Sequence, residues 1–317
     1  MHDALSRKID YLRLSVTDRC NLRCYYCMPE EGVSKLDHGD ILTDEEILRI
    51  VRLFVDMGIS SVRVTGGEPL IRHNIMDLLG SLSEVNGITD LSLTTNGVRL
   101  DSDTASFLAS VGMRVNISLD TFNPDVYSNI TRGGDLSSVF KGLDSALSAG
   151  IDPVKINVVV LQGVNDREIP DFIEMARQRP VHVRFIEHMP VIERNMNHSG
   201  ALRSGIMELL HAPVPVMDLN GKGPAQVFRE AEMAGSIGVI DPVSRHFCAG
   251  CNRVRLHSNG DLSYCLFSDA FLNLRDLLRR GVSDSEIMER INEFVSEKPL
   301  THSGLFTRTR PMSSVGG

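Results

Sequence analysis

Several features of membrane, secreted and nucleic-acid-binding proteins are missing from this chain of 317 residues. It has no run of about 18 apolar residues, so we expect no membrane-spanning helix. Residues 1–8 lack the apolar segment of a signal peptide, which favours the cytoplasm as the compartment. The formal net charge of −8 is the opposite of the basic excess that broad nucleic-acid binding requires. Low-complexity tracts and alignable internal repeats are also absent.

Cysteine is scarce, and none is left over outside two groups. The six cysteines form two triplets, Cys20, Cys24 and Cys27, and Cys248, Cys251 and Cys265. In a cytoplasmic chain such groups indicate metal or redox chemistry rather than disulfides. Neither triplet contains the fourth cysteine of a closed four-cysteine zinc or iron–sulfur site. Three thiolates on a [4Fe–4S] cluster leave one iron open for another ligand.

Zinc is the alternative metal for both triplets. Three clustered cysteines can be half of a zinc site that is completed from elsewhere in the chain. For the second triplet, His246 or His257 could complete such a site. A hairpin with its turn at 258–261 is predicted to bring Cys265, on the return strand over 262–266, beside Cys248 and Cys251.

Strands and helical stretches alternate along the first two thirds of the chain. Period-2 patterns predict strands over 11–17, 61–65, 90–95, 115–119, 154–161 and 181–187. The capping box from Thr43 to Glu46 begins the first helix, and Gly58 is placed to end it. Such alternation indicates βαβ units and a parallel sheet, so we expect an α/β fold.

One face of these strands is polar and the other is branched and apolar. The polar positions are Arg13, Arg63, Thr65, Ser92, Thr94, Asn116, Ser118, Lys155 and Asn157. A closed eight-stranded barrel fills its interior with apolar side chains, so this pattern favours a partial, open barrel with a polar lumen. Several cations facing the lumen of an acidic protein need anions, and arginine is suited to bidentate phosphate contacts.

After Met189 the alternation stops, and proline and glycine mark a shift in composition near 221–224. We therefore predict a partial barrel over residues 1–222 and a smaller C-terminal domain over residues 223–317. The second domain is predicted to contain a strand over 236–240, the hairpin with Cys265, and a helix with a capping box that begins at Ser283.

The C-x3-C-x2-C spacing of the first triplet resembles the radical S-adenosylmethionine (SAM) enzymes. That resemblance implies a (β/α)6 core, a [4Fe–4S] cluster on the first triplet, and SAM bound to the open iron. The run from Phe247 to Leu256, the segment 265–267 and the ending Gly316-Gly317 resemble the GTP 3′,8-cyclases of molybdenum cofactor biosynthesis. That closer resemblance implies a second [4Fe–4S] cluster on the second triplet, with its open iron on the guanine base.

The resemblance also implies roles for individual residues. The implied SAM contacts are Tyr26, Gly67, Ser118 and Met189. The implied GTP contacts are Arg13, Arg63, Thr94, Lys155, Arg253, Val254 and Arg255. Thr95 could replace Thr94, although Thr94 has the lumen parity; Tyr26 and Met189 could be core residues instead. Glu68 either approaches the SAM ammonium group or caps its turn, and the Gly-Gly tail either reaches the active site or frays.

The implied reaction is reductive cleavage of SAM to a 5′-deoxyadenosyl radical, which takes the 3′ hydrogen of GTP. The product is (8S)-3′,8-cyclo-7,8-dihydroguanosine 5′-triphosphate, and no side chain is assigned as a catalytic residue. The resemblance implies two partners, an electron donor and a downstream cyclic pyranopterin monophosphate synthase. It is also compatible with a homodimer. Two alternatives stay open: a radical SAM enzyme for a peptide or another small molecule, and a non-catalytic iron–sulfur electron carrier. Residues 191–201 do not align with the family pattern, which leaves substrate contacts there open.

Overall fold

The computed structural model describes residues 1–33, 36–189, 202–216, 223–301 and 312. The unaligned stretch 191–201 and the Gly-Gly ending lie outside these residues. The chain forms two compact units. Unit 1 comprises Met1–Leu93, Val111–Met113 and Cys248–Gly317, and unit 2 comprises Thr94–Ser110 and Arg114–Phe247.

Strands and helices alternate as the α/β prediction requires. The strands of the described residues are β1 (Tyr11–Ser15), β2 (Ser61–Thr65), β3 (Asp90–Thr95), β4 (Arg114–Ser118), β5 (Val154–Val160), β6 (Val181–Glu187), β7 (Val214–Val216), β8 (Gln226–Arg229), β9 (Ser236–Ile240), β10 (Arg253–Leu256), β11 (Asp261–Ser263) and β12 (Leu272–Asn273). The α-helices are α1 (Asp44–Asp56), α2 (Ile75–Ser83), α3 (Ser102–Ser110), α4 (Pro124–Thr131), α5 (Leu136–Ser148), α6 (Ile169–Gln178), α7 (Leu202–Leu209), α8 (Leu274–Arg279) and α9 (Asp284–Ser296). All six strands predicted in the first two thirds are present, which confirms the fold class.

In unit 1, β1 is a central strand with parallel neighbours on both sides. It pairs with β2 and with β10, and β3 pairs with β2, all in parallel. The hairpin strands β11 and β12 continue the sheet in antiparallel pairing beyond β10. Leu12, Leu14, Val62 and Val64 are fully buried, and α1 packs against α2, α8 and α9.

In unit 2, β4, β5, β6 and β9 pair in parallel in that order. The short strands β8 and β7 extend this sheet in antiparallel pairing beyond β9. β9 was expected in the C-terminal domain, and it lies in unit 2, where it pairs with β6 and β8. The predicted boundary at residue 222 lies outside the described residues and stays a prediction. No helix among the described residues is long and apolar enough to cross a membrane.

The predicted helix ends are confirmed where capping chemistry determines them. The hydroxyl of Thr43 accepts from the N–H of Glu46 at 3.2 Å, and the Glu46 carboxylate accepts from the N–H of Thr43 at 2.9 Å. Gly58 follows α1 with φ of +97°, a conformation that favours glycine. The hydroxyl of Ser283 accepts from the N–H of Glu286 at 3.3 Å and so caps α9.

Strand boundaries differ from the sequence prediction at four strands: β4 lies one residue earlier than 115–119, β5 ends at Val160 instead of 161, and the larger differences are at β1 and β11. β1 ends at Ser15 rather than at residue 17, because the carbonyl of Thr17 turns to accept from the N–H of Gly67. The return strand of the hairpin, β11, ends at Ser263. Cys265 therefore lies two residues beyond that strand, in the segment that leads to β12.

Candidate functional site

The first cysteine loop, residues 16–28, is fastened to the turn that follows β2. The N–H of Gly67 donates to the carbonyl of Thr17 at 2.7 Å. The next N–H along, that of Glu68, donates to the carbonyl of Arg19 at 2.8 Å. Two consecutive backbone hydrogen bonds thus hold the start of the cysteine loop in a fixed position.

The three cysteines of this loop are half-buried, and none forms a disulfide. The N–H of Cys27 donates to the carbonyl of Cys24 at 2.9 Å, which closes a turn between them. The sulfur of Cys20 accepts from the N–H of Leu22 at 3.4 Å. The N–H of Met312 donates to the carbonyl of Cys27 at 3.0 Å, so the backbone near the C-terminus touches this loop.

The second triplet begins in a short 3-10 turn, Cys248–Gly250, directly before β10. The N–H of Cys251 donates to the carbonyl of Cys248 at 3.1 Å. These two residues and Cys265 are half-buried and form no disulfide. The segment carrying Cys265 follows β11, the strand that pairs with β10, so all three cysteines flank one hairpin.

Two cations distant in sequence bind backbone carbonyls of Cys248–Cys251, the second cysteine segment. Lys298 Nζ donates to the carbonyls of Cys251 at 3.1 Å and Arg253 at 2.6 Å, and lies 3.4 Å from Cys251 Sγ. Arg7 Nη1 donates to the carbonyl of Cys248 at 2.7 Å. Burial raises the pKa of the Cys251 thiol, but the nearby Lys298 and Arg253 outweigh it, and the pKa is lowered overall. Sequence reasoning missed both Lys298 and Arg7.

Three arginines share one face of adjacent strands in unit 1. Arg13 of β1 is in register with Arg255 of β10 on one side and with Arg63 of β2 on the other. Arg63 is in turn in register with Ser92 of β3, to whose hydroxyl its Nε donates at 3.2 Å. In-register residues of parallel strands point to the same face. The predicted parity of Arg13, Arg63 and Ser92 is therefore confirmed.

Arg13, Arg63 and Arg255 form an arginine row whose positive charges repel one another. Burial and the charge of Arg255 hold the pKa of Arg13 well below its ordinary value. Burial, followed by repulsion from Arg253, lowers the pKa of Arg255 to about 10. The guanidinium groups of Arg63 and Arg253 lie 5.5 and 5.7 Å from the centre of the Tyr11 ring. An anion at this face would offset the repulsion.

Unit 2 carries a second polar row across β4, β5, β6 and β9. It consists of Asn116, Lys155, His182 and Ser236 in register. The Lys155 side chain is fully buried. Burial, with Lys155 as the next cause, lowers the pKa of His182 to about 4, and its Nδ1 lies 2.6 Å from the Ser236 hydroxyl. One row further along β6, Arg184 Nη1 donates to the Asn116 side-chain oxygen at 3.2 Å.

Neither His182 nor Arg184 was among the predicted site residues. Both follow the alternation of β6, whose opposite face carries the buried Val181, Val183 and Phe185. The alternation of polar and apolar residues in β6, treated as in β1 to β5, identifies both residues.

The hydroxyl groups of Thr94 and Thr95 differ in their hydrogen bonding. Thr95 Oγ1 accepts from the N–H of Gly97 at 3.0 Å, which stabilises the turn after β3. Among the described residues, the buried Oγ1 of Thr94 has no hydrogen-bond partner. A buried hydroxyl without a partner costs free energy, and a bound ligand could satisfy it. Thr94 is thus the better candidate for a ligand contact.

The predicted SAM residues divide between the units. Tyr26 and Gly67 lie in unit 1, and Ser118 and Met189 lie in unit 2. Tyr26 is half-buried, with its ring edge-on to Tyr25 at 6.0 Å. Ser118 ends β4 and Met189 follows β6, and both are half-buried. Their contacts with SAM stay predictions.

Glu68 has the turn-capping role that the sequence left open. Its carboxylate accepts from the N–H of Leu70 at 3.0 Å, at the start of a 3-10 turn over Pro69–Ile71. Its side chain is buried. A contact with SAM stays a prediction.

The histidines of the zinc alternative have other partners. His257 Nε2 lies 2.8 Å from the hydroxyl of Ser263, and His246 Nδ1 lies 2.8 Å from the carbonyl of Pro242. In the part of the chain that the structure describes, no three His, Cys, Asp or Glu side chains converge to hold one metal ion. Zinc requires its thiolates about 2.3 Å from a single ion, whereas those of a [4Fe–4S] cluster bind separate irons. Two sets of three thiols outside disulfides therefore fit the donor chemistry of such clusters.

Two family models match this chain, and together they cover most of its length. The model of the Radical SAM superfamily matches residues 14–176, and the model described as Molybdenum Cofactor Synthesis C matches residues 181–304. A GTP 3′,8-cyclase of Moorella thermoacetica is 43% identical over 323 residues. One of Desulforamulus reducens is 44% identical over 327 residues, and both alignments cover 100% of each chain.

Solved structures share the fold at low sequence identity. The crystal structure of Streptococcus suis SuiB bound to S-adenosylmethionine has a TM-score of 0.61 at 18% identity, covering 91% of this chain and 66% of that one. The structure of anSMEcpe with bound AdoMet has a TM-score of 0.59 at 17% identity, covering 92% and 78%. These similarities show a mixed α/β fold with a parallel-strand sheet, as predicted.

Proposed function

The chain belongs to the GTP 3′,8-cyclase family of the radical SAM superfamily, and from this premise we propose how its own residues serve that activity. It is a lyase that converts GTP into (8S)-3′,8-cyclo-7,8-dihydroguanosine 5′-triphosphate, in the first step of molybdenum cofactor biosynthesis. SAM and an iron–sulfur cluster are its cofactors.

Each cysteine triplet holds one [4Fe–4S] cluster in this proposal. Cys20, Cys24 and Cys27 bind the first cluster, and Cys248, Cys251 and Cys265 bind the second. When bound, the first cluster supplies the electron that cleaves SAM to methionine and a 5′-deoxyadenosyl radical. The donor sets support the assignment, because all six are thiols outside disulfides.

The arginine row is the observation that carries the substrate assignment. Arg255, Arg13 and Arg63 present three guanidinium groups on one face of three adjacent strands. Guanidinium groups suit bidentate phosphate contacts, so the row binds the triphosphate of GTP. Arg253 and Val254, the first two residues of β10, are further proposed contacts.

Anchoring both ends of the nucleotide serves the hydrogen abstraction. In this proposal the arginine row holds the triphosphate, and the second triplet, through its cluster, holds the guanine base. Both features belong to unit 1, where β10 begins two residues after Cys251. A ribose fixed between two anchors presents its 3′ hydrogen in one orientation, which selective abstraction requires.

Two further GTP contacts are assigned in unit 2. Thr94 brings a buried hydroxyl that lacks a partner among the described residues, and Lys155 brings a fully buried ammonium group. The proposed SAM contacts are Tyr26, Gly67, Ser118 and Met189. Gly67 supports this assignment because its N–H donates to the carbonyl of Thr17 and so ties the turn after β2 to the first cysteine loop.

The proposal extends to partners and domain organisation. An electron donor must reduce the first cluster, and a cyclic pyranopterin monophosphate synthase receives the cyclised nucleotide. The SAM-binding core comprises residues 1–222, and the domain with the second cluster comprises residues 223–317.

An anaerobic assay with GTP, SAM and dithionite tests the function. The cyclised nucleotide and 5′-deoxyadenosine are followed by mass spectrometry, in the wild type and in variants with either triplet replaced by alanine. Formation of both products only when GTP is present supports the cyclase. GTP-independent 5′-deoxyadenosine would favour a peptide or another small molecule as substrate. No cleavage of SAM by a chain with both clusters would favour an electron carrier.

The role of Lys155 has its own test. Lys155→Ala removes a buried cation that charge-assisted contacts to phosphate would use, so GTP affinity is expected to fall roughly tenfold or more. Lys141→Ala is the matched control, because Lys141 lies exposed on α5 of the same unit. Iron content is expected to stay the same in both variants. GTP affinity that does not change in Lys155→Ala would remove the assignment.

A further inference from the structure

Lys298 is a buried lysine beside the second cysteine segment. It follows α9 and is only 5% exposed. Its backbone N–H donates to the carbonyl of Val295 at 3.1 Å, which continues the last turn of the helix. A lysine so thoroughly removed from water needs acceptors for its charged group.

The ammonium group has three N–H donors, and the structure provides three acceptors. Two are the carbonyls of Arg253 at 2.6 Å and Cys251 at 3.1 Å. The third is Cys251 Sγ at 3.4 Å. Of the three, only the sulfur becomes an anion when it binds iron. The contact is therefore suited to a metal-bound thiolate rather than to a thiol.

A second cation fixes the backbone of Lys298 in this position. Arg7 Nη2 donates to the carbonyls of Lys298 at 3.0 Å and Pro299 at 2.9 Å. Its Nη1 donates to the carbonyl of Cys248, and its own charge is paired with the buried carboxylate of Asp3 at 2.6 Å. Arg7 thus connects the backbone of Lys298 to the backbone of Cys248, which keeps the ammonium group beside Cys251.

We propose that Lys298 is a positioning residue for the second iron–sulfur cluster, and that its hydrogen bond to Cys251 Sγ raises the reduction potential of that cluster. The inference rests on the proposed function, because it requires a cluster on the second triplet. A nearby positive charge and an N–H···S bond favour the reduced state, which carries one more negative charge. No assigned role for GTP or SAM involves Lys298.

The test is a redox titration of the full-length, anaerobically reconstituted protein, monitored by electron paramagnetic resonance. The signal of the second cluster is identified by its loss when Cys248, Cys251 and Cys265 are replaced by alanine. Lys298→Met keeps most of the side-chain volume and removes the charge and the donors. Lys8→Met is the matched control, because the Lys8 side chain is 67% exposed in a loose 3.8 Å pair with Asp10.

Lys298→Met is expected to lower the reduction equilibrium constant of the second cluster roughly tenfold, about 59 mV for a one-electron couple. The first cluster is expected to keep its potential, and Lys8→Met is expected to change neither cluster. Equal potentials in the wild type and Lys298→Met, with both clusters bound, would overturn the inference.

If Lys298→Met loses the second cluster, the potential is measured in Lys298→Gln instead, because glutamine keeps an N–H donor without the charge. A potential below that of the wild type in this variant supports the inference. A wild-type potential, or loss of the cluster again, overturns it and leaves Lys298 as a packing element. About four irons in the wild-type chain, instead of about eight, would instead refute the proposed second cluster itself.

Discussion

Replacing Gly67 by alanine is expected to displace the first cysteine loop from the turn that follows β2. A Cβ at this position would lie 2.1 Å from the carbonyl oxygen of Arg19 and 2.5 Å from its carbonyl carbon. It would also lie 3.0 Å from the carbonyl oxygen of Asp18. These are backbone atoms, so no side-chain rotation can relieve the contact, and the loop must move by roughly 1 Å.

The expected loss of unfolding free energy in Gly67→Ala has two contributions. Overpacking against a rigid neighbour costs about 1–3 kcal/mol. The displacement also breaks the hydrogen bond from Glu68 N–H to the Arg19 carbonyl, which contributes about 1 kcal/mol. Gly67→Ala is therefore expected to lower the free energy of unfolding by about 2–4 kcal/mol and to weaken SAM binding.

Urea unfolding and equilibrium binding of SAM measure the two effects. Gly39→Ala is the matched control, because a Cβ at Gly39 meets no atom within 4 Å. Iron bound by the first triplet is expected to fall in Gly67→Ala, while iron bound by the second triplet is retained. If Gly67→Ala matches Gly39→Ala in stability and SAM affinity, the close packing of this turn does not position the loop.

Two further predictions concern stability. Thr43→Ala removes the reciprocal cap of α1 and is expected to cost about 1 kcal/mol in urea unfolding with iron content unchanged; a loss within a few tenths would contradict this. The pKa of His182 is about 4 in the folded protein against an ordinary 6.5, so the unfolded chain binds more protons between these values. Stability is therefore expected to fall as the pH drops through this window. The full shift corresponds to roughly 2 kcal/mol from pH 7.5 to pH 5, and solvent screening at this half-buried side chain reduces the expected loss to about 1 kcal/mol. His182→Gln is expected to flatten that part of the pH dependence, and an unchanged slope would contradict the assignment.

The strand pattern is what the sequence predicts best. Alternation determines which side chains share a face, and parallel pairing brings equivalent positions of neighbouring strands into register. For this reason Arg13, Arg63 and Ser92 could be placed together before the structure was known. The same alternation in β6 points to His182 and Arg184, which the prediction overlooked.

Contacts between distant segments could not be predicted in the same way. Lys298 and Arg7 reach the second cysteine segment from opposite ends of the chain, and no local periodicity marks either residue. The short strands β7 and β8 were also missed, since three or four residues provide too little alternation to recognise. Cys265 was assigned to a strand because the apolar pattern runs past Ser263, where pairing in fact stops.

Iron and sulfide analysis of the anaerobically purified chain tests most directly the claim that each cysteine triplet binds a [4Fe–4S] cluster. We expect about eight irons per chain, and about four when either triplet is replaced by alanine. Zinc in place of iron, or an iron content that survives replacement of one triplet, would contradict it.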